Sequence, residues 1–225
     1  VIVVKPARSS NATGIVFLST EDVTGRSSTW RDTLRRCSAA GWPWVIQALV
    51  RSSPLPGFPG YQWHLRAMVR VEGSLRIRMY DRIRVLVAKD PRGESLDQSG
   101  LITNRSAGVE AGGYDAARRN LDLREAAPEQ APGWIQEIEG VVAALFQRLV
   151  KAGRRVFFHH PRCHELFGVD LMVGSAPGGP PRVWLLEANP TPCFAVFPES
   201  DHANLRSGGT GWRTVLELDC LRACD

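Results

Sequence analysis

The segment ELFGVDLMVGSAPGGPPRVWLLEANPTP, residues 165–192, constrains the fold of this chain more than any other feature. It consists of two apolar strands joined by a Gly/Pro turn, and a symmetric hairpin turns at Gly178-Gly179. This register sets Asp170 directly across from Glu187, on the same face of the sheet. Asn189 falls on that face too, because side chains of a strand alternate with period two.

Two carboxylates that face each other across strands should repel and destabilise the pair. Two carboxylates and an amide oxygen are ligands that suit Mg²⁺. The pattern therefore predicts a magnesium site formed by Asp170, Glu187 and Asn189. The alternative is a solvent-facing rung on which two acids fall by chance. Without the cation, the paired acids should raise one another's pKa.

The same register makes predictions for the apolar neighbours of the acids. Met172 and Leu185 should lie opposite each other and line an apolar floor on which adenine can sit. Four further side chains should point away into the core: Val169, Leu171, Trp184 and Leu186.

Composition and charge narrow the function classes. A chain of 225 residues can bury a substantial hydrophobic core, either as one large domain or as two subdomains that share a cleft. The net charge is +5 and 25 of the 28 basic residues are Arg, which favours anionic partners such as a nucleotide, an acidic peptide or nucleic acid, unless the genome is simply Arg-biased. No apolar run approaches the ~20 residues of a membrane helix. An odd number of Cys, 5, and the lack of a secretory leader predict a reducing, cytoplasmic location.

Hydrophobic periodicity predicts a mixture of strands and helices. Strands are expected at residues 1–5, 14–18, 44–50, 63–71, 75–80, 83–88 and in the acid-bearing hairpin. Helices are expected at residues 28–40 with Ser28 as N-cap, near 114–121, at 133–152 and at about 211–223. This order indicates an α+β fold.

FGVDLMV followed by VWLLEANPTP resembles the signature of the tubulin–tyrosine ligase-like family, a branch of the ATP-grasp ligases. In that family the acid of FG-x-D and the acid and Asn of LLE-x-N hold the Mg²⁺ of ATP. The resemblance implies an ATP-grasp fold, in which two antiparallel sheets with flanking helices enclose a nucleotide cleft. Residues 1–50 would be the central lid subdomain and 51–225 the C-terminal subdomain, with the N-terminal subdomain missing upstream.

The resemblance also implies contacts to ATP outside the hairpin. Lys5 lies in the KP setting of a phosphate-binding lysine, although a lone Lys at a strand end is usually solvated. Arg66, in YQWHLR, is the catalytic candidate for holding the γ-phosphate or an acyl-phosphate. WVIQALV resembles the hinge strand beside adenine, unless it is only a core strand, and LITN resembles a segment near the ribose or phosphates. These two segments supply the remaining ATP-binding candidates: Gln47, Ala48, Val50, Thr103 and Asn104.

The chain departs from the family pattern at several positions. Three lack an expected basic residue and one lacks an expected acid: Asn11, Ala48, Gln62 and His64. Three other arginines on neighbouring strands are candidates to compensate: Arg76, Arg78 and Arg84. A cluster of His159, His160, Cys163 and His164 lacks a familiar zinc spacing.

Two functions follow from this pattern. The first is an ATP- and Mg²⁺-dependent carboxylate–amine ligase that adds an amino acid to a protein, with an acidic tail such as that of tubulin as acceptor. The second is a catalytically impaired pseudo-ligase that serves as a protein- or RNA-binding interaction module. The aromatic residues have no RNA-platform spacing, so nucleic acid is not the expected partner.

Overall fold

The computed structural model describes residues 1–7, 14–41, 43–73, 75–92, 101, 103, 121–153, 157, 160, 162–175, 179–190 and 192–218. Asn11 and Asn104 lie outside these residues, as does nearly all of the helix predicted near 114–121.

The first sheet has three antiparallel strands in the order β2-β1-β3. They are β1 (Ile2–Pro6), β2 (Val16–Leu18) and β3 (Trp44–Ala48). Between β2 and β3 lie helices α1 (Thr20–Thr24) and α2 (Ser28–Ala39). The N-cap of α2 is Ser27, one residue before the predicted Ser28, because the Ser27 hydroxyl accepts the backbone N–H of Trp30.

The second sheet has seven strands, and every pair in it is antiparallel. Its strands are β4 (Arg51–Ser52), β5 (Tyr61–Glu72), β6 (Arg76–Tyr80), β7 (Arg84–Pro91), β8 (His164–Ser175), β9 (Arg182–Pro190) and β10 (Trp212–Glu217). The order is β10-β6-β5-β8-β4, with β7 paired to β5 and β9 paired to β8. The remaining elements are α3 (Leu123–Ala126), α4 (Ala131–Lys151), a 3-10 helix (Phe194–Val196) and α5 (Glu199–Ser207). Two antiparallel sheets with helices confirm the α+β class.

The two faces of the second sheet have different characters. Odd-numbered residues of β5, from Trp63 to Val71, are buried in the main core with Ile138, Val142 and Phe146 of α4. The apolar residues of α4 recur at intervals of about four, which gives the helix one face for this contact. Even-numbered residues of β5 lie on the opposite face because strand side chains alternate. That face carries the polar side chains Gln62, His64, Arg66 and Arg70.

The prediction of a final helix at 211–223 was wrong. Trp212–Glu217 forms β10, which pairs with β6 and has a register shift between Thr214 and Leu216. The β-branched residues Thr214 and Val215 favour a strand. The segment is so short that its apolar residues fit the two-residue repeat of a strand as well as the 3.6-residue repeat of a helix. Helices α1, α3 and α5 were not predicted. None of the helices in the described part of the chain has the length and apolar character needed to span a bilayer.

Candidate active site

Asp170 on β8 and Glu187 on β9 are paired residues in the sheet, as the hairpin register predicts. Asn189 pairs with Gly168, two positions along the same strands. All three side chains therefore share one face of the second sheet. The amide Nδ2 of Asn189 lies 3.0 Å from Glu187 Oε1 and 3.4 Å from Asp170 Oδ2, so Asn189 donates to both carboxylates.

A β-bulge at Leu186 changes the register immediately beyond the acids. Leu171 pairs with Leu185, and Met172 pairs with Trp184. The prediction that Met172 and Leu185 lie opposite each other was therefore wrong, and Leu185 is 41% exposed. A β-bulge inserts one unpaired residue into one strand. No residue type in the sequence LLEAN predicts a bulge, so the change of register was not expected.

The bulge also decides which apolar residues of the hairpin reach the main core. Val169 and Leu171 are fully buried there, as predicted. Trp184 and Leu186 are only partly buried and lie outside that core, contrary to the prediction. The indole N–H of Trp184 donates to the carbonyl of Gly174 at 2.8 Å.

Arg66 on β5 is paired with Asp170 on the other side of β8. Its Nε donates to Asp170 Oδ1 and its Nη2 donates to Asp170 Oδ2 at 2.7 Å, so the contact is bidentate. Both side chains are largely buried, at 16% and 7% exposure. Arg84 on β7 pairs with Arg66 in turn, so Glu187, Asp170, Arg66 and Arg84 form one row across four strands.

Lys5 reaches this row from the first sheet. Its Nζ lies 3.2 Å from Glu187 Oε2 and 3.4 Å from the carbonyl oxygen of Leu186, the bulged residue. Burial opposes ionisation of Glu187, but the hydrogen bond from Asn189 and the charge of Lys5 outweigh it, so the pKa of Glu187 is lowered. The predicted rise of this pKa through repulsion was therefore wrong, because basic side chains and an amide lie around the acids.

His64 and Thr103 form a buried polar pair beside Asp170. His64 Nδ1 is hydrogen-bonded to Thr103 Oγ1, and His64 Nε2 lies 3.8 Å from Asp170 Oδ1. Burial lowers the pKa of His64, although the nearby Asp170 acts in the opposite direction. Thr103 thus contacts the site through a histidine that replaces the acid of the family pattern.

Gln62 cross-links three strands where a lysine was expected. Its Nε2 donates to the carbonyl of Val50 at 2.9 Å and contacts Met172 Sδ at 3.3 Å. Its Oε1 accepts from the backbone N–H and the hydroxyl of Ser52, at 3.3 and 3.2 Å. Sequence reasoning missed this role because the pattern of β5 alone does not show which side chains of β4 and β8 lie beside Gln62 in the folded sheet.

Two of the arginines expected to compensate are bound elsewhere. Arg76 pairs with Glu217 at 2.9 Å. Arg78 donates to Glu72 and to the carbonyls of Gly208 and Trp212. Both side chains therefore hold the region of β10 and α5, and that expectation was wrong.

Arg84 does lie next to the site, at 1% exposure. Its Nε donates to the carbonyl of Val196 at 3.0 Å, while its Nη2 has no hydrogen-bond partner among the described residues. Burial lowers the pKa of Arg84. Of the other predicted contacts, Gln47, Ala48 and Leu185 make no hydrogen bond or ion pair with the acid-bearing row within the described residues.

The oxygen-rich donor set suits a hard divalent cation. Asp170 and Glu187 supply carboxylates and Asn189 an amide whose oxygen can be turned toward the acids. Among the described residues, no group of three or more His, Cys, Asp or Glu side chains is arranged to hold a metal, so the site rests on two carboxylates and an amide. In the His/Cys cluster, Cys163 Sγ lies 3.9 Å from His160 Nδ1.

Comparison with known proteins gives one family. The family model described as Tubulin-tyrosine ligase family matches residues 1–203 of the sequence. A search of curated proteins finds no match to the chain. The family match includes Lys5, Arg66, Asp170, Glu187 and Asn189. Because it covers most of the 225 residues, the chain belongs to the tubulin–tyrosine ligase family, whose members are generally ATP-dependent ligases.

Proposed function

We propose that this protein is an ATP- and Mg²⁺-dependent carboxylate–amine ligase that adds an amino acid to a protein. The observation that carries the proposal is the row of Glu187, Asp170 and Arg66, which Lys5 reaches from the first sheet. Two neighbouring acids with a base on either side supply ligands for a cation and donors for phosphate oxygens.

The two sheets act as the walls of an ATP-grasp nucleotide cleft. Residues 1–50 form the central lid subdomain, and 51–225 form the C-terminal subdomain. The contact between Lys5 Nζ and Glu187 Oε2, 3.2 Å, supports this because it joins a strand of each sheet at the acids. Adenine lies between β3 and the face that carries Met172, near Gln47, Ala48 and Val50. Thr103 lies near the ribose or phosphates.

In the reaction, ATP phosphorylates a substrate carboxylate and releases ADP. An incoming amine then attacks the acyl carbon, expels phosphate, loses a proton and forms the amide. Asp170, Glu187 and Asn189 would hold a Mg²⁺ ion, which would offset the negative charge of the phosphates. Lys5 binds phosphate, and the guanidinium of Arg66 donates hydrogen bonds to the transferred group.

The acceptor is an acidic protein segment, such as a tubulin tail. The net charge of +5 supports an anionic partner through favourable long-range attraction. The protein acts in the cytoplasm.

A pseudo-ligase is the second candidate, and two observations favour it. Gln62 uses both ends of its amide to join β4, β5 and β8, so this position no longer supplies a cation to phosphate. Ala48 is exposed and carries no charge. Loss of two basic contacts weakens nucleotide binding, since each charge-assisted hydrogen bond contributes about 1.5–3 kcal/mol.

Titration of Mg²⁺-ATP by calorimetry tests the proposal. Glu187→Gln should weaken binding by about tenfold or more, because one charged ligand is lost. Glu165→Gln removes an exposed acid of the same hairpin and serves as the matched control. Release of ADP and formation of an amide with an acidic peptide and an amino acid distinguish the ligase. Mg²⁺-ATP binding without turnover supports the pseudo-ligase, and equal binding by all three proteins contradicts the site.

A further inference from the structure

Every carboxylate oxygen of the acid pair accepts a hydrogen bond from a side chain of the protein. Glu187 Oε2 accepts from Lys5 Nζ at 3.2 Å, and Glu187 Oε1 accepts from Asn189 Nδ2 at 3.0 Å. Asp170 Oδ1 accepts from Arg66 Nε, and Asp170 Oδ2 accepts from Arg66 Nη2 at 2.7 Å. Two acids are thus balanced by two bases, and the amide of Asn189 presents its nitrogen to both acids.

This arrangement is self-neutralised. Two carboxylates on paired strands would repel, but Arg66 and Lys5 remove the repulsion without any added ion. A divalent cation that bound here would need lone pairs of Glu187 that Lys5 and Asn189 now occupy. It would also bring positive charge close to the Lys5 ammonium. Metal and Lys5 therefore compete for the same carboxylate.

We infer that the Lys5–Glu187 ion pair is a built-in substitute for the metal, and that a polyphosphate anion must draw Lys5 away before the cation binds tightly. The inference rests on the proposed function, because it concerns the same acids. Lys5 is the mobile partner: its ammonium has three donors on a flexible stem, whereas Arg66 is fixed by two parallel hydrogen bonds.

The position of Lys5 explains why the exchange is between a metal and an anion. Lys5 is only 14% exposed, and both of its described acceptors, Glu187 Oε2 and the Leu186 carbonyl, belong to β9. When Lys5 leaves Glu187, the stabilisation from the Lys5–Glu187 ion pair is lost unless another anion binds the Lys5 ammonium. Phosphate oxygens provide such an acceptor, and the freed carboxylate then accepts the cation.

The consequence is positive coupling between the two ligands. The anion raises the affinity for the metal, and the metal must raise the affinity for the anion by the same factor. Lys5 also belongs to the first sheet and Glu187 to the second, so the same exchange breaks one link between the sheets. Removal of Lys5 should uncouple the ligands and make the site bind metal alone.

Manganese binding, followed by electron paramagnetic resonance with and without inorganic tripolyphosphate, tests the inference. Wild-type protein should bind Mn²⁺ weakly alone and more tightly with the anion. Lys5→Gln should bind Mn²⁺ alone about fivefold more tightly than wild type and lose most of the gain from tripolyphosphate. Lys5→Met is a second neutral variant, and Lys151→Gln removes an exposed lysine as control.

The outcomes separate this inference from the proposed function. If Glu187→Gln abolishes Mn²⁺ binding but both neutral Lys5 variants bind Mn²⁺ alone no more tightly than wild type, the inference is overturned and the metal site stands. If no variant binds Mn²⁺, or if Glu187→Gln has no effect, the proposed site fails and the inference fails with it.

Discussion

Arg66 and Asp170 are cross-strand partners on β5 and β8, and they form a bidentate ion pair on the face of the sheet opposite the main core. The pair is largely buried, so its two charges depend on each other for solvation. Asp170 is also the paired neighbour of Glu187. The charged side chains of the candidate site therefore stabilise one another along a row of strands, and removal of one charge destabilises its neighbours.

Asp170→Asn should lower the free energy of unfolding by about 3 kcal/mol, because Arg66 is left buried without its carboxylate. Urea denaturation measures the change. Asp32→Asn is the matched control, since the Arg35–Asp32 pair has the same length of 2.7 Å as the Arg66 Nη2 contact but is mostly exposed. That control should change stability by less than about 1 kcal/mol. Equal losses in the two variants would contradict the role of burial.

Gly168→Ala should disturb the contact between Arg66 and Asp170. A Cβ at Gly168 would lie 2.9 Å from Pro192 Cβ and 3.1 Å from Arg66 Cδ. Overpacking of this kind should destabilise the protein by about 1–3 kcal/mol and weaken nucleotide binding. Thermal unfolding and calorimetry measure both effects.

Gly140→Ala provides the control for this substitution. Gly140 is exposed in α4, and a Cβ there meets nothing within 4 Å. Alanine should stabilise that helix by about 0.5–1 kcal/mol. A neutral or stabilising Gly168→Ala would show that Arg66 and Pro192 move aside freely.

The pairing of the two acids was predicted from strand alternation and a symmetric turn, but the structure reaches it through two offsets that cancel. Between the turn and Leu186 every pair is displaced by one residue from the predicted register, as in Val173 with Val183. The unpaired Leu186 then restores the predicted register at Asp170 and Glu187. Lys5 contacts the backbone carbonyl of Leu186, so the bulge that the sequence did not predict also supplies a hydrogen-bond acceptor at the candidate site.

Long-range contacts could not be predicted from local patterns. Gln62 bonds to Ser52 of β4 and contacts Met172 of β8, and His64 bonds to Thr103, through contacts that only the folded chain creates. Each was noticed in the sequence as a substitution in a family pattern. A pattern identifies the missing charge, but it does not identify the hydrogen bonds that replace it.

Stability should depend on pH through His64. Burial lowers the pKa of His64 below its ordinary value of 6.5, although Asp170 opposes this change. The unfolded chain therefore binds a proton that the folded protein does not, and the free energy of unfolding should fall as the pH drops below 6.5 toward the folded pKa. His64→Gln should reduce this slope in urea denaturation between about pH 5 and 7. Identical slopes in the two proteins would contradict the prediction.

Gln62→Lys, which restores the residue expected from the family pattern, should destabilise the protein instead of simply repairing nucleotide binding. Lysine has no acceptor for the N–H and hydroxyl of Ser52, which lie 3.3 and 3.2 Å from Gln62 Oε1. The loss should be about 1–3 kcal/mol, the usual cost of an unsatisfied buried group. Ala48→Lys places the same charge at an exposed position and should change stability by less than about 0.5 kcal/mol. Thermal unfolding of both variants, with hydrogen exchange at Ser52, measures the difference. A Gln62→Lys variant as stable as wild type, with protected Ser52, would show that the amide of Gln62 does not hold β4.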